Sequence, residues 1–409
     1  MKQEIIDKIN RLASQDEPFL CVINYQGDKA FIRLLSDINS EECLFDFEGR
    51  GNFSDSKRTD SEEIAKEISG ENLKEISGEI SEVTWQITPP LYEDYERNFG
   101  IVKSNIIGGN SYLTNLTYRV PVSCNLSLED IFHRAKGKYK LLLRRKRTQA
   151  EDKAHLKEEE EEVHLKEEEE AQNKVHLKEE NIEENLNPFV CFSPETFIRI
   201  KGGRIYSYPM KGTLDASLPD AEKQLMEDEK EAAEHATIVD LIRNDLSRVA
   251  EDVRVDKYRY IDVLHTNKGD ILQTSSEISG RLPEDYRNHL GEILAAQLPA
   301  GSITGAPKAK TMQIIHEAEG YDRGFYTGIM GIYDQGELNS AVMIRFIEEE
   351  TLPKNMGEEK ETLPMNAGEG KAGEAKERRL FFKAGGGITS KSECRKEYEE
   401  VIQKIYLPF

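Results

Sequence analysis

Paired cysteines, long apolar runs and a surplus of basic charge are all missing from this 409-residue chain. Its five cysteines, Cys21, Cys43, Cys124, Cys191 and Cys394, lie far apart and form no CxxC pair. That spacing speaks against a zinc site or a disulfide framework and fits a reducing compartment. The opening MKQEIIDKINRL is a charged amphipathic stretch, neither a signal peptide nor a membrane span. The sequons at Asn115 and Asn125 therefore carry no glycosylation meaning, and a cytoplasmic location is expected. With 55 Lys and Arg against 77 Asp and Glu, the net charge of -22 argues against nucleic acid as a partner.

Apolar content is low too, at 37% against 32% charged residues, so charge must be concentrated outside the core. Residues 151–185 alone hold fifteen acids and five lysines, a local balance of -10. Three segments are repetitive: KEISGE occurs twice within 62–83, HLKEE three times within 153–180, and ETLP twice within 350–371. None has enough apolar residues to offset the entropy of ordering it. The HLKEE tract could form a solvated helix with Glu/Lys pairs. Its histidines invite a metal reading, but glutamate-rich helices carry incidental histidines. The expected organisation is a β-rich N-terminal part (1–61), an insertion (62–83), a first part of the main domain (84–150), an acidic insertion (151–186), a central part (187–347), a third insertion (348–378) and a C-terminal part (379–409).

Between the insertions, strands and helices alternate. FLCVINYQGDKAFIRLL reads as a hairpin around Gln26-Gly27-Asp28. KYKLLLRRK at 138–146, FVCF at 189–192, AVMIRFI at 341–347 and RRLFFKA at 378–384 read as strands, which puts the second and third insertions on strand-to-strand connections. Residues 221–250 and 391–405 carry helical apolar stripes. Strands that come in hairpin-like pairs predict an antiparallel α+β architecture rather than βαβ repeats.

Several polar residues stand in apolar settings. Glu234 is in helical line with Ile238 and Leu241, where a carboxylate is costly unless a cation meets it. Glu397 and Glu400 are i, i+3 neighbours beside Glu393, and such like charges destabilise an isolated helix. A salt bridge in the first case and a solvated acidic face in the second would account for them. A hard divalent cation would instead make ligands of both sets. Gly385, Gly386 and Gly387 follow an expected strand and would let backbone N–H groups approach an anion. PAGSITGAPK at 299–308 is a second glycine-rich turn, and neither has P-loop or dinucleotide spacing; simple structural turns remain the alternative. Arg345, among Val342, Ile344 and Phe346, suggests an inward partner for a carboxylate. Glu195 and Lys211 could serve as proton donor and nucleophile in one closed site, or stand on surface turns.

The blocks SPET, MKGT, AEHATIVDLIRNDLSRV, SEISGRL, PAGSITGAPKAKTM, YTGIMGIY, MIRF and KAGGGITSKSECRKEYEE follow one another in an order that resembles the chorismate-using enzymes: the anthranilate, aminodeoxychorismate, isochorismate and salicylate synthases. The resemblance covers about residues 86–150, 187–347 and 379–405. It implies antiparallel β-sheets packed as a sandwich with helices outside, and a Mg²⁺-dependent site for chorismate. Glu234 and Glu400, with Glu397 adjacent, correspond to metal ligands. Gly212, Thr213, Gln273, Tyr326, Arg345, Gly385, Gly386 and Gly387 correspond to substrate contacts.

Within that family, lysine at position 211 resembles the aminodeoxychorismate synthases, where anthranilate synthases usually carry alanine. The resemblance gives Lys211 the role of nucleophile and Glu195 that of acid, and burial beside a cation is expected to keep part of the Lys211 population neutral. The family often has glutamine at the position of Leu113 and histidine at that of Gln273; water-using members carry a lysine base near Leu113, so isochorismate and salicylate synthesis are not expected. A tryptophan-binding serine motif and a glutaminase segment are not visible, so feedback by tryptophan is not expected. Ammonia is expected from glutamine through a separate amidotransferase subunit. The competing readings are anthranilate synthase component I and a degenerate acidic scaffold. Because 153–180 lacks a core-forming pattern and stands between strands, deleting it should leave turnover largely unchanged, as steady-state assays on the folded deletion variant would check.

Overall fold

The structure is a computed structural model that describes residues 1–53, 83–144, 186–266, 269–353 and 376–409. The KEISGE and HLKEE repeats, with the histidines of the latter, and residues 354–375 lie outside the described residues. Among the described residues the strands form two nine-stranded antiparallel sheets. The first runs β11 (Met210–Asp215), β13 (Gly269–Arg281), β10 (Arg204–Ser207), β9 (Thr196–Lys201), β16 (Glu337–Val342), β15 (Ile329–Asp334), β1 (Phe19–Ile23) and β2 (Ala30–Leu34), with β12 (Glu251–Thr266) paired onto β13. The second runs β14 (Gly305–Ala306), β6 (Leu113–Cys124), β18 (Lys376–Ile388), β17 (Phe346–Pro353), β8 (Phe189–Ser193), β7 (Tyr139–Leu143), β3 (Cys43–Phe47) and β4 (Arg50–Gly51), with β5 (Trp85–Ile87) paired onto β6.

The continuous apolar runs explain the layering. In β1, Leu20 and Val22 face the core between the sheets while Phe19, Cys21 and Ile23 face a second core on the outer side. In β8, Phe189 and Cys191 point inward and Val190 and Phe192 outward. A strand buried on both faces has no polar side to alternate with, hence FLCVI and FVCF. Helices α1 (Gln3–Ser14) and α6 (Leu290–Gln297) cover the first sheet. Helices α2 (Tyr92–Ile107), α3 (Leu128–Arg134), α8 (Lys308–Glu319) and α9 (Cys394–Gln403) cover the second. The α+β sandwich with helices outside is therefore the fold expected from sequence. The strands flanking the second and third insertions pair with each other, β7 with β8 and β17 with β18.

Two elements differ from their sequence reading. Residues 221–250 form two helices, α4 (Ala221–Glu227) and α5 (Glu229–Leu246). Asp228 separates them because its side chain accepts a hydrogen bond from the Glu231 N–H at 2.9 Å, a helix cap in place of a helical residue. The run 341–347 is likewise no single strand: β16 ends at Val342 and β17 begins at Phe346. Met343 exchanges hydrogen bonds with the 327–328 turn (2.8 Å each), and Arg345 takes a left-handed φ of 55°.

Two buried ion pairs tie the interior together. Arg323 and Glu319 meet at 2.6 Å with side chains 1% and 0% exposed. Arg323 also donates to the carbonyls of Ile303 at 3.2 Å and Asn115 at 2.7 Å, tying a loop to α7 (Gly301–Thr304) and β6. Lys383 on β18 meets Glu348 on β17 at 2.9 Å and donates to the Arg323 carbonyl at 3.0 Å. Removing one member strands a buried charge. Arg323→Met should therefore lower unfolding free energy by about 3–5 kcal/mol, measured by urea denaturation.

Candidate active site

A cavity of about 710 Å³ opens where β6, β11, β18, α5, α7 and α9 converge. Lys211 and Glu195 both line it, as do Glu234, Glu400, Tyr326, Arg345 and the three glycines. Residues from six separate sequence blocks thus share one wall system.

Lys211 owes its direction to the residue after it. The β11–β13 register shifts between Lys211 and Thr213, and Gly212 occupies the bulge with φ of 76°. A Cβ there would lie 3.0 Å from a Glu231 carboxylate oxygen and 3.3 Å from Leu225. Thr274 donates its hydroxyl to the Lys211 carbonyl, which fixes the backbone behind the amine. The amine then reaches Glu234 on α5, with Nζ 2.9 Å from Oε2. Burial lowers the tendency of Lys211 to hold its proton, but the Glu234 hydrogen bond and the charges of Glu234, Glu231 and Glu400 outweigh it, and the net shift is upward. The Glu234 ion pair thus favours the ammonium form of Lys211, opposite in direction to the effect expected of a neighbouring cation.

Glu195 follows β8 in a turn whose own backbone is bonded on both sides, to Ser193 Oγ at 3.1 Å and from the Val342 N–H at 3.2 Å. Its carboxylate accepts from Ser302 Oγ at 2.7 Å. Burial pushes this carboxyl up, against the opposing pull of the Ser302 hydrogen bond and the Lys404 charge. A carboxylic acid that keeps its proton above the ordinary range suits a proton donor.

The glycines are part of β18, not a loop after it. β18 pairs with β17 as far as Lys383 and with β6 through Ile388. Beyond Lys383 the edge that β17 has left faces the cavity. Gly385 must be glycine, because a Cβ would lie 2.6 Å from the Leu116 carbonyl oxygen of β6. A side chain at Gly386 would point toward Glu397, Glu400 and Lys404, whose polar atoms lie 3.6, 4.0 and 4.0 Å from where its Cβ would stand. Lys404 pairs with Glu400 at 2.7 Å and donates to the Gly385 carbonyl at 3.0 Å. Arg345 sends Nη1 to the Lys404 carbonyl at 2.9 Å and stacks its guanidinium 4.7 Å from the Tyr406 ring centre, so it holds the end of α9. Gly212, Thr213 and Gln273 stand outside the cavity wall; Thr213 and Gln273 face each other in the β11–β13 ladder.

Lys404, Asn115 and Ser302 are among the wall residues that escaped the sequence reading. Lys404 is four residues from Glu400, a helical spacing that could have revealed it. Asn115 is two residues from Leu113, the strand period that puts both on one face. Ser302 carried no signal beyond its place in a glycine-rich turn. Among the described residues no group of three or more His, Cys, Asp or Glu side chains is gathered as a metal site. By chemistry alone, Glu234 and Glu400 on the cavity wall, with Glu397 one turn before Glu400 on α9, carry the oxygen donors that a hard divalent cation prefers.

The region 163–351 matches the family profile described as chorismate binding enzyme. The chain is 39% identical over 406 residues to an uncharacterized PabA-like protein of Haemophilus influenzae, covering 99% of this chain and 97% of that one. It is 34% identical to Aquifex aeolicus anthranilate synthase component 1, over 52% of this chain and 38% of that one. To Klebsiella aerogenes aminodeoxychorismate synthase component 1 it is also 34% identical, over 52% of this chain and 42% of that one. A putative 2,3-dihydroxybenzoate-specific isochorismate synthase from Bacillus anthracis superposes with a TM-score of 0.59 at 17% identity, over 98% of this chain and 86% of that one. The profile match and these relatives point to the chorismate-utilising enzymes. This chain belongs to that family.

Ser302 lowers the Glu195 pKa by stabilising the charged form, so its loss moves that pKa further upward. If protonated Glu195 is needed, activity falls as pH rises through its pKa. The alkaline limb of the kcat/KM profile should therefore move to higher pH in Ser302→Ala, as a pH-rate profile would read out.

Proposed function

We propose that this chain adds ammonia to chorismate at ring carbon 4, yielding 4-amino-4-deoxychorismate for p-aminobenzoate and folate synthesis in the cytoplasm. The observation that carries this reading is the Lys211 amine inside the cavity, on the same wall system as Glu195. Chorismate is a dicarboxylate. One carboxylate suits the open edge of β18 together with Arg345 and Lys404. Mg²⁺ held by Glu234, Glu397 and Glu400 would neutralise these acids and bind the second carboxylate. Among the described residues no helix is long and apolar enough to cross a membrane.

In this reading the Lys211 ammonium, paired with Glu234 at 2.9 Å, first gives up its proton to solvent, a loss that engagement of Glu234 with a cation would favour. The free amine attacks ring carbon 2, both conjugated ring double bonds shift, and the carbon-4 hydroxyl departs as water, taking the proton of Glu195. Ammonia then adds at carbon 4, both double bonds shift back and the Lys211 amine is expelled. Atoms balance as chorismate plus ammonia giving aminodeoxychorismate plus water. Glutamine would be hydrolysed by a separate amidotransferase subunit that supplies the ammonia.

The competing reading is anthranilate synthase component I, since relatives of both names match over half of this chain. The two differ in product: anthranilate forms with release of pyruvate, whereas aminodeoxychorismate keeps the enolpyruvyl group. With chorismate, ammonia and Mg²⁺, product analysis should find the aminated ring with the enolpyruvyl group intact. Lys211→Ala should lower kcat by about 10²-fold or more, at nearly unchanged chorismate affinity. Anthranilate as product, or wild-type turnover in Lys211→Ala, would overturn the assignment.

A further inference from the structure

The turn between the glycine strand and the carboxylate helix, residues 389–393, has no strand or helix of its own to hold it. Thr389, Ser390 and Lys391 nevertheless line the cavity. Lys103, on α2, reaches this turn from behind. Its ammonium donates to the carbonyls of Thr389 at 3.3 Å, Ser390 at 2.8 Å and Ser392 at 2.8 Å. An ammonium has three protons, and three main-chain carbonyls converge on it. The turn is closed on its other side by Ser392, whose Oγ accepts from the Thr389 N–H at 3.0 Å.

We propose that Lys103 is a positioning residue for the chorismate site. Its ammonium gathers the three carbonyls into one compact turn and thereby fixes the separation between the anion-facing edge of β18 and the carboxylates of α9. Three carbonyl dipoles aimed at one point repel each other unless a cation stands there. Other contacts keep the helix itself in place: Tyr398 packs on Tyr95 and Tyr92 with ring centres 5.3 and 5.4 Å apart, and Arg345 holds the Lys404 carbonyl. Losing Lys103 thus loosens the turn and leaves the sandwich standing. This inference rests on the chorismate reading of the cavity, though not on which reaction follows.

The test uses Lys103→Met, which keeps length without charge, and Lys103→Arg, which keeps charge in a planar group that suits three converging carbonyls less well. Chorismate is titrated against each full chain with Mg²⁺ present, and amide hydrogen exchange over 389–392 is followed without ligand. Lys103→Met should bind chorismate about tenfold more weakly or worse, ~1.4 kcal/mol. Lys103→Arg should fall between it and the wild type. Thermal midpoints should stay close to wild type, and exchange should quicken over 389–392 but not in β1. Wild-type affinity or wild-type exchange in either folded variant overturns the proposal. Failure of the wild type to bind chorismate would sink the ligand reading instead, while the exchange data still decide the clamp.

Discussion

The approach of β18 to β6 at Gly385 is the constraint on which the site depends. A Cβ at Gly385 would sit 2.6 Å from the Leu116 carbonyl oxygen, so only glycine lets the two strands stay in register through Ile388. Because that ladder continues after β17 has turned away at Phe346, one edge of β18 is left facing a cavity. The carboxylate helix α9 hangs from the same strand, beginning five residues past Thr389. The anion-facing edge and the acidic helix are therefore consequences of one backbone contact.

Around this contact the molecule manages charge by pairing it. Arg323 with Glu319 and Lys383 with Glu348 are buried and fully engaged, and they join the second sheet to the loop that carries Tyr326. In the cavity the pairs are half-exposed: Lys211 with Glu234, and Lys404 with Glu400. Buried pairs are costly to break and so make a rigid frame, whereas half-exposed pairs can exchange partners as substrate arrives. The contrast separates scaffold from machinery without reference to any motif.

The layered fold was largely legible in the chain. Runs such as FLCVI and FVCF announce strands buried on both faces, and hairpin-like spacing points to antiparallel pairing. Errors fell at the breaks. Asp228 reads as one more polar residue in a helix, yet its side chain caps α5. Arg345 reads as a strand residue, yet the chain needs a left-handed step there so that Met343 can pair with the 327–328 turn. Such competition between local hydrogen bonds and a continuing helix or strand leaves no periodic trace in sequence.

The sequence by itself determined which residues are chemically unusual: Glu234 on an apolar stripe, the acids Glu397 and Glu400, three consecutive glycines, and a lysine before Gly212. It also determined the family, since those blocks occur together in one order. Only the tertiary structure decided what the unusual residues face. It set Lys211 against Glu234, so that the amine is held charged, and Glu195 against Ser302. It placed Gly212 in a bulge behind the cavity instead of in its wall, and brought Lys404 and Lys103 to the carbonyls of the glycine strand and its turn. The reason is physical. Composition and spacing fix which side chains share a face of one element, but the sign and distance of a charge's partner depend on other elements, as near in the chain as Lys211 to Glu234 and as far as Lys103 to Ser390. Only the packing of those elements brings them within hydrogen-bond reach.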